Sequence, residues 1–159
     1  MPNPLLRTDK EIADVYERHS HMIYRICFAY MKNVPDTEDV VQDTFCKLIA
    51  ANLPFDSPEH EKAWLIRVAS NLCKNKLRHW WRKRESLEAH GCLQAIAPDI
   101  DDTFGAVMAL PGKYKTVVYL YYYEGYDTVE IGKILGKSPS TIRDLLAKAR
   151  KVLREKIAL

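Results

Sequence analysis

Ser140, Arg143, Asp144, Ala147 and Lys148 recur at steps of three and four, which places them on one face of a helix. Each has a counterpart on duplex DNA. An arginine can fork onto guanine, an aspartate can accept from the cytosine amino group, an alanine can meet a thymine methyl, and a lysine can hold a phosphate. Lys137, Ser138 and Thr141 adjoin the set at the start of the same helix. A second set, Arg67, Asn71, Lys74, Asn75, Arg78 and Arg82, follows the same steps and is flanked by Trp64, Trp80 and Trp81. From Lys62 to Arg84 there is no Asp or Glu, so this helix carries a positive stripe. Cations that track a backbone, amides that read unpaired base edges and aromatic faces worth roughly 1–3 kcal/mol per stacked base suit partly single-stranded DNA. The tryptophans have a second reading as core residues, Trp64 foremost. A third set, Asp36, Glu38, Asp39, Gln42 and Asp43, forms an acidic face. It either complements a helix N-terminus or docks a basic helical surface on a partner.

Catalytic chemistry finds little support. There is no Walker loop, no GxSxG and no HExxH, and the nearest acid–base cluster, His19 and His21 with Glu17, lies on a core-forming helix. No catalytic residue and no cofactor is assigned. The four cysteines, Cys27, Cys46, Cys73 and Cys92, are far apart, and three sit in helical apolar patterns, so they read as reduced core thiols. His90 and Cys92 have no second half at zinc-ligand spacing, and no metal site is expected.

The elements that must carry these faces are all helical. Thr8 to Glu11 fits a capping box, and apolar residues recur at helical spacing from Ile12 to about Met31. Pro35 breaks the chain, Asp36 is the expected N-cap of a second helix, and Val40, Val41, Thr44, Phe45, Leu48 and Ile49 are its apolar stripe. Ser57 and Pro58 open a third, with Glu59 and Glu61 suited to its positive end and Leu65, Val68, Ala69, Leu72 and Cys73 facing inward. From Glu85 to about Gly105 periodicity is lost and acidic residues dominate, as in a linker. Pro111 opens the next helix and Gly125 ends it. Asp127 to Glu130 is another capping box, Gly136 a left-handed stop, and Ser138 with Pro139 starts the last helix, whose inner side is Ile142, Leu145, Leu146, Ala149 and Leu153. A short capped helix, a glycine turn and a longer helix make a helix-turn-helix, although such a hairpin also builds ordinary bundles.

The fold class is therefore all-α: two small helical domains, 1–84 and 106–159, joined by an acidic linker over 85–105. The 159 residues suffice for two small cores. The formal charge of +3 says less than its basic, acidic, basic alternation along the second half. No stretch approaches a membrane span or a signal peptide, so no stable membrane insertion and a cytoplasmic location are expected.

At these residues the chain resembles the extracytoplasmic-function group of sigma-70 family factors over nearly its whole length. The segments are Asp36 to Phe45, Trp64 to Asn71, and Glu130 to Gly136 continuing through Ala149 and Arg150. The resemblance implies an RNA polymerase sigma factor whose first domain binds core polymerase at the largest-subunit clamp helices through Asp36, Glu38, Asp39, Gln42 and Asp43. It implies melting of the minus-ten element by Arg67, Asn71, Lys74, Asn75, Arg78 and Arg82, with Phe55 in a loop that holds a flipped-out base. The second domain would read the minus-thirty-five element with Lys137, Ser138, Ser140, Thr141, Arg143, Asp144, Ala147 and Lys148. Core polymerase with its flap, promoter DNA and an anti-sigma factor are the implied partners. Asn75 stands where many members carry Asp, Ser70 where Arg is common, and Asp144 and Leu145 replace a commoner Ser-Arg pair. The rival reading is a regulator that uses only its helix-turn-helix, with the first domain for dimerisation or sensing.

Overall fold

The computed structural model describes residues 8–84 and 102–157. Seven helices are present and no strand among these residues: α1 (Asp9–Met31), α2 (Val34–Ala51), α3 (Pro58–Arg84), α4 (Asp102–Met108), α5 (Gly112–Tyr122), α6 (Thr128–Leu135) and α7 (Pro139–Ile157).

Local chemistry sets most of the boundaries. The Thr8 hydroxyl accepts from the Glu11 amide at 3.1 Å, and Lys32 in the left-handed region ends α1 by donating to the Phe28 carbonyl. The second helix starts earlier than its sequence suggests. Asn33, not Asp36, is its N-cap: the Asn33 side chain accepts from the Asp36 amide at 2.9 Å and donates to the Asp36 carboxylate at 2.7 Å. Pro35 sits in the first turn, where a missing amide proton costs nothing, so it opens the helix rather than breaking the chain. Ile49, assigned to the inner stripe, is 46% exposed in the last turn of α2, which ends two residues later at Ala51.

α1, α2 and α3 pack together around Ile23, Ile26, Val40, Leu48, Leu65 and Ala69, all at most 1% exposed. Val68 and Leu72 are only half-buried, whereas Ile66 and Ser70 are buried. That rotation has a cause. The second half of the chain packs on α1 and α3, so faces that a lone three-helix domain would expose become interior. α1 shows it most clearly: from Ile26 to Met31 every residue is buried, as expected of a helix covered on all sides.

In the second half, α4 includes residues 102–105, which the loss of periodicity assigns to the linker. It exists because Phe104, Val107 and Leu110 bury against the first half and against α5. α5, α6 and α7 enclose Val118, Leu120, Ile131, Ile142 and Leu146, with Leu145 and Leu153 half-buried at the rim.

Candidate nucleic-acid interface

The hairpin of α6 and α7 is built as its capping residues dictate. Asp127 accepts from the Glu130 amide at 2.8 Å while the Glu130 side chain accepts from the Asp127 amide at 3.0 Å, a complete capping box. Gly136 then turns the chain at φ 70°, and the Ser138 hydroxyl accepts from the Thr141 amide at 3.2 Å. Gly132 is fixed by a close approach: a Cβ there would lie 2.6 Å from the Lys137 carbonyl oxygen. The hairpin is sealed on its inner side by Ile131, Ile142, Leu146 and Ala149.

Ser140, Thr141, Arg143, Asp144, Ala147 and Lys148 are all exposed on α7, and Lys137 and Ser138 are exposed just before it. Arg143 makes no ion pair among the described residues. Asp144 and Lys148 pair with each other at 3.0 Å, one turn apart. The acid thus holds a neighbouring cation instead of standing ready for a base edge, and the proton affinity of Lys148 rises through that hydrogen bond.

On α3, Arg67, Asn71, Asn75 and Arg78 are exposed and Lys74 is half-buried. The Arg78 guanidinium donates to the Asn75 amide oxygen at 3.0 Å, which stiffens this part of the stripe. The side chains of Trp81 and Arg82 lie outside the described residues. Trp64 and Trp80 are half-buried against the core, and Trp64 sits edge-on to Phe55 at 5.9 Å. Phe55 also meets His60 edge-on at 5.2 Å, so the loop before α3 is propped on an aromatic cluster.

The acidic face is split. Glu38, Asp39 and Gln42 point to solvent, Asp36 serves the Asn33 cap, and Asp43 pairs with Lys76 of α3 at 3.7 Å. Glu61 differs from its sequence reading. It is buried and takes Arg18 at 3.0 Å and His19 at 2.9 Å, so it ties α3 to α1 rather than merely facing the helix dipole. Burial lowers the proton affinity of His19, against the opposing pull of Glu61, and a neutral ring then donates from Nε2. Glu17 and His21 are exposed while His19 is buried, so that trio does not assemble. Cys46 is exposed on α2, against its reading as a core thiol, while Cys27 and Cys73 are buried and free. Cys92 lies outside the described residues. Among the described residues no group of three or more His, Cys, Asp or Glu could hold a metal, and no helix is long and apolar enough to cross a membrane.

The two halves meet through polar groups that sequence patterning does not mark. Tyr30 Oη donates to the Gly112 carbonyl at 3.1 Å and bonds the Thr116 hydroxyl at 2.7 Å, which in turn bonds Ser70 at 2.8 Å. With one proton per hydroxyl, donation runs from Ser70 to Thr116 to Tyr30 to Gly112. Lys115 is buried and donates to the Ala29 carbonyl at 2.7 Å, one of the last-turn carbonyls that a helix leaves without a partner. Lys62 reaches Glu124 at 3.4 Å and lies over the Tyr126 ring at 4.9 Å. The one cue in the sequence is the run Phe28 to Met31, apolar around the full helical turn.

This packing brings part of the α3 set to one cleft with Lys137, while Arg143, Asp144, Ala147 and Lys148 stay outside it on the exposed face of α7. Arg67, Asn71 and Lys74 of α3 line a space of about 280 Å³ together with Lys113, Lys137 and Leu145 of the second half.

Residues 15–84 match the family model for sigma-70 region 2, and residues 105–153 match the model for sigma-70 region 4. The chain is 26% identical to the ECF RNA polymerase sigma factor SigW of Bacillus subtilis, over 91% of this chain and 88% of that protein. It is 28% identical to the sigma factor SigV of the same organism, over 86% and 84%. Among solved structures, the fold is similar to the sigma factor RpoE bound to the anti-sigma factor NepR from Bartonella quintana. There the TM-score is 0.72 and the identity 21%, over 94% of this chain and 98% of that one. It is also similar to CnrH in complex with the cytosolic domain of CnrY, with TM-score 0.68. Region 2 and region 4 in this order, with relatives of the same composition along most of their length, show that the chain belongs to the extracytoplasmic-function group of the sigma-70 family of RNA polymerase sigma factors.

Proposed function

We propose that this sigma factor, which directs promoter-specific initiation, grips core polymerase through α2, reads the minus-thirty-five element with α7 and opens the minus-ten element with α3. The observation that carries this reading is the outward face of α7, where Arg143, Ala147 and their neighbours are exposed on a hairpin whose inner side is sealed. The working division is 1–84 for polymerase binding and melting, 85–105 for the linker and 106–159 for upstream recognition. Arg67, Asn71, Lys74, Asn75, Arg78 and Arg82 serve the melted strand, and Phe55 the loop that receives a flipped base. Extruding a base costs only a few kcal/mol once the duplex is open.

Glu38, Asp39 and Gln42 offer the clamp helices a solvent-exposed acidic face, with Asp36 and Asp43 at its ends. An apolar groove of about 590 Å³ between α4, α5 and α7, edged by Arg150 and Arg154, suits an apolar element of the flap. An anti-sigma partner follows from the two solved relatives, each bound to such a protein or to a cytosolic domain. The chain performs no bond chemistry of its own, needs no cofactor and works in the cytoplasm, where polymerase is.

In the free chain the second half packs on α1 and α3, and Lys137 shares a cleft of about 280 Å³ with Arg67, Asn71 and Lys74, so polymerase must part the halves before these α3 residues engage the melted strand. Run-off transcription with purified core polymerase tests the function. The expected result is a promoter-dependent product that disappears with the double charge reversal Asp39→Lys and Asp43→Lys. Absence of both core binding and product in the unaltered chain would refute it.

A further inference from the structure

In the closed arrangement four cations, Arg67 and Lys74 from α3 with Lys113 and Lys137 from the second half, line one small cleft with Asn71 and Thr116, and no carboxylate is among its lining residues. Elsewhere the fold treats its cations differently. Lys62, Lys76 and Lys148 each have a carboxylate within 4 Å, whereas none of these four has an ion-pair partner among the described residues. Burial lowers the proton affinity of Lys74, and Lys137 and Arg78 lower it further by repulsion, as like charges brought together must. Closing the two halves therefore gathers positive charge that no carboxylate among the described residues pairs with.

We propose that this cleft binds a small multivalent oxyanion of the phosphate class, and that the anion bridges region 2 to region 4. The space, about 280 Å³, equals roughly nine waters' share of liquid volume. That accommodates a diphosphate or the phosphate tail of a nucleotide and excludes a duplex. Cationic side chains with amide and hydroxyl donors beside them are what phosphate oxygens require. Because two of the cations belong to each half, the site exists only in the closed chain. An occupant would therefore hold the promoter-facing residues together and compete with DNA for them.

The test is isothermal titration calorimetry of the free full-length chain with inorganic diphosphate at constant ionic strength, with chloride as the control anion. One saturable site is expected, weakened about tenfold by Lys74→Gln and by Lys137→Ala alike, since a charge-assisted contact is worth about that much. Lys10→Ala, exposed on the first turn of α1, should leave it unchanged. A parallel arm uses a short single-stranded oligonucleotide, which presents the same phosphate chemistry from a backbone. Binding by the oligonucleotide alone, no saturation by diphosphate, or indifference to Lys137→Ala would each overturn the proposal. Polymerase and promoter are absent from the assay, so a negative result leaves the initiation function standing.

Discussion

Thr116 of α5 stands between Tyr30 of α1, at 2.7 Å, and Ser70 of α3, at 2.8 Å, so a single hydroxyl joins region 4 to two helices of region 2. All three side chains are buried. A buried hydroxyl chain stabilises only while every link is made.

Thr116→Val keeps the shape and removes the link. Ser70 then loses its acceptor and Tyr30 its donor, at a cost of about 1–3 kcal/mol to the closed arrangement. The distance between halves can be read by energy transfer between Cys46, which is naturally exposed, and a dye at Lys151→Cys, with Cys92→Ser to prevent a second label. A longer mean distance is expected with unchanged helix content. An unchanged distance would mean that the hydroxyl chain contributes nothing to closure.

Lys115 makes closure depend on pH. Burial lowers its pKa from 10.5 to about 8 in the closed chain, helped by repulsion from Lys32, and parting the halves should restore the ordinary value. The protonated ammonium therefore penalises closure in full below about pH 8, on the order of 3 kcal/mol, and the penalty fades as pH rises toward 10.5. The closed population should grow between about pH 8 and 10.5, by the same energy-transfer pair. Lys115→Met should flatten that slope; an equally steep slope in the variant would assign the pH response elsewhere.

Arg143→Ala should weaken binding to the minus-thirty-five element by about 1–3 kcal/mol and relax preference at one base pair. Lys148 stands in a different relation to its partner. Since Asp144 holds it at 3.0 Å, Asp144→Ala frees a cation, so binding to random duplex should tighten and its salt dependence steepen by about one counterion. Competition binding at two salt concentrations separates these outcomes. A loss of affinity confined to the specific element in Asp144→Ala, with binding to random duplex unchanged, would instead show that the carboxylate itself contacts a base.

Gly132→Ala should unfold the hairpin turn. Its Cβ would lie 2.6 Å from the backbone oxygen of Lys137, whose amide already donates to the Gly132 carbonyl at 2.8 Å, so neither side can retreat cheaply. Destabilisation of about 1–3 kcal/mol is expected by thermal unfolding. Loss of upstream DNA binding with core-polymerase binding retained would locate the damage in region 4.

Much of this was legible in the residues alone. Thr8, Ser57 with Pro58, the box from Asp127 to Glu130, and Ser138 with Pro139 all act on backbone amides within a few positions, so their effects are local and survive any tertiary arrangement. The same holds for the exposed face of α7, because helical periodicity alone separates Arg143 and Lys148 from Ile142 and Leu146. Asn33 rather than Asp36 is the cap because Pro35, two residues after Asn33, can equally end or begin a helix and here begins one. What only the tertiary structure decided is how the halves meet. Tyr30 and Thr116 are 86 positions apart, and Ser70 and Thr116 are 46 apart. Ser70, Thr116 and Lys115, polar side chains that no apolar pattern marks, are interior because a second surface covers them. Periodicity reports which side of one helix is apolar, not which partner arrives to bury the other side.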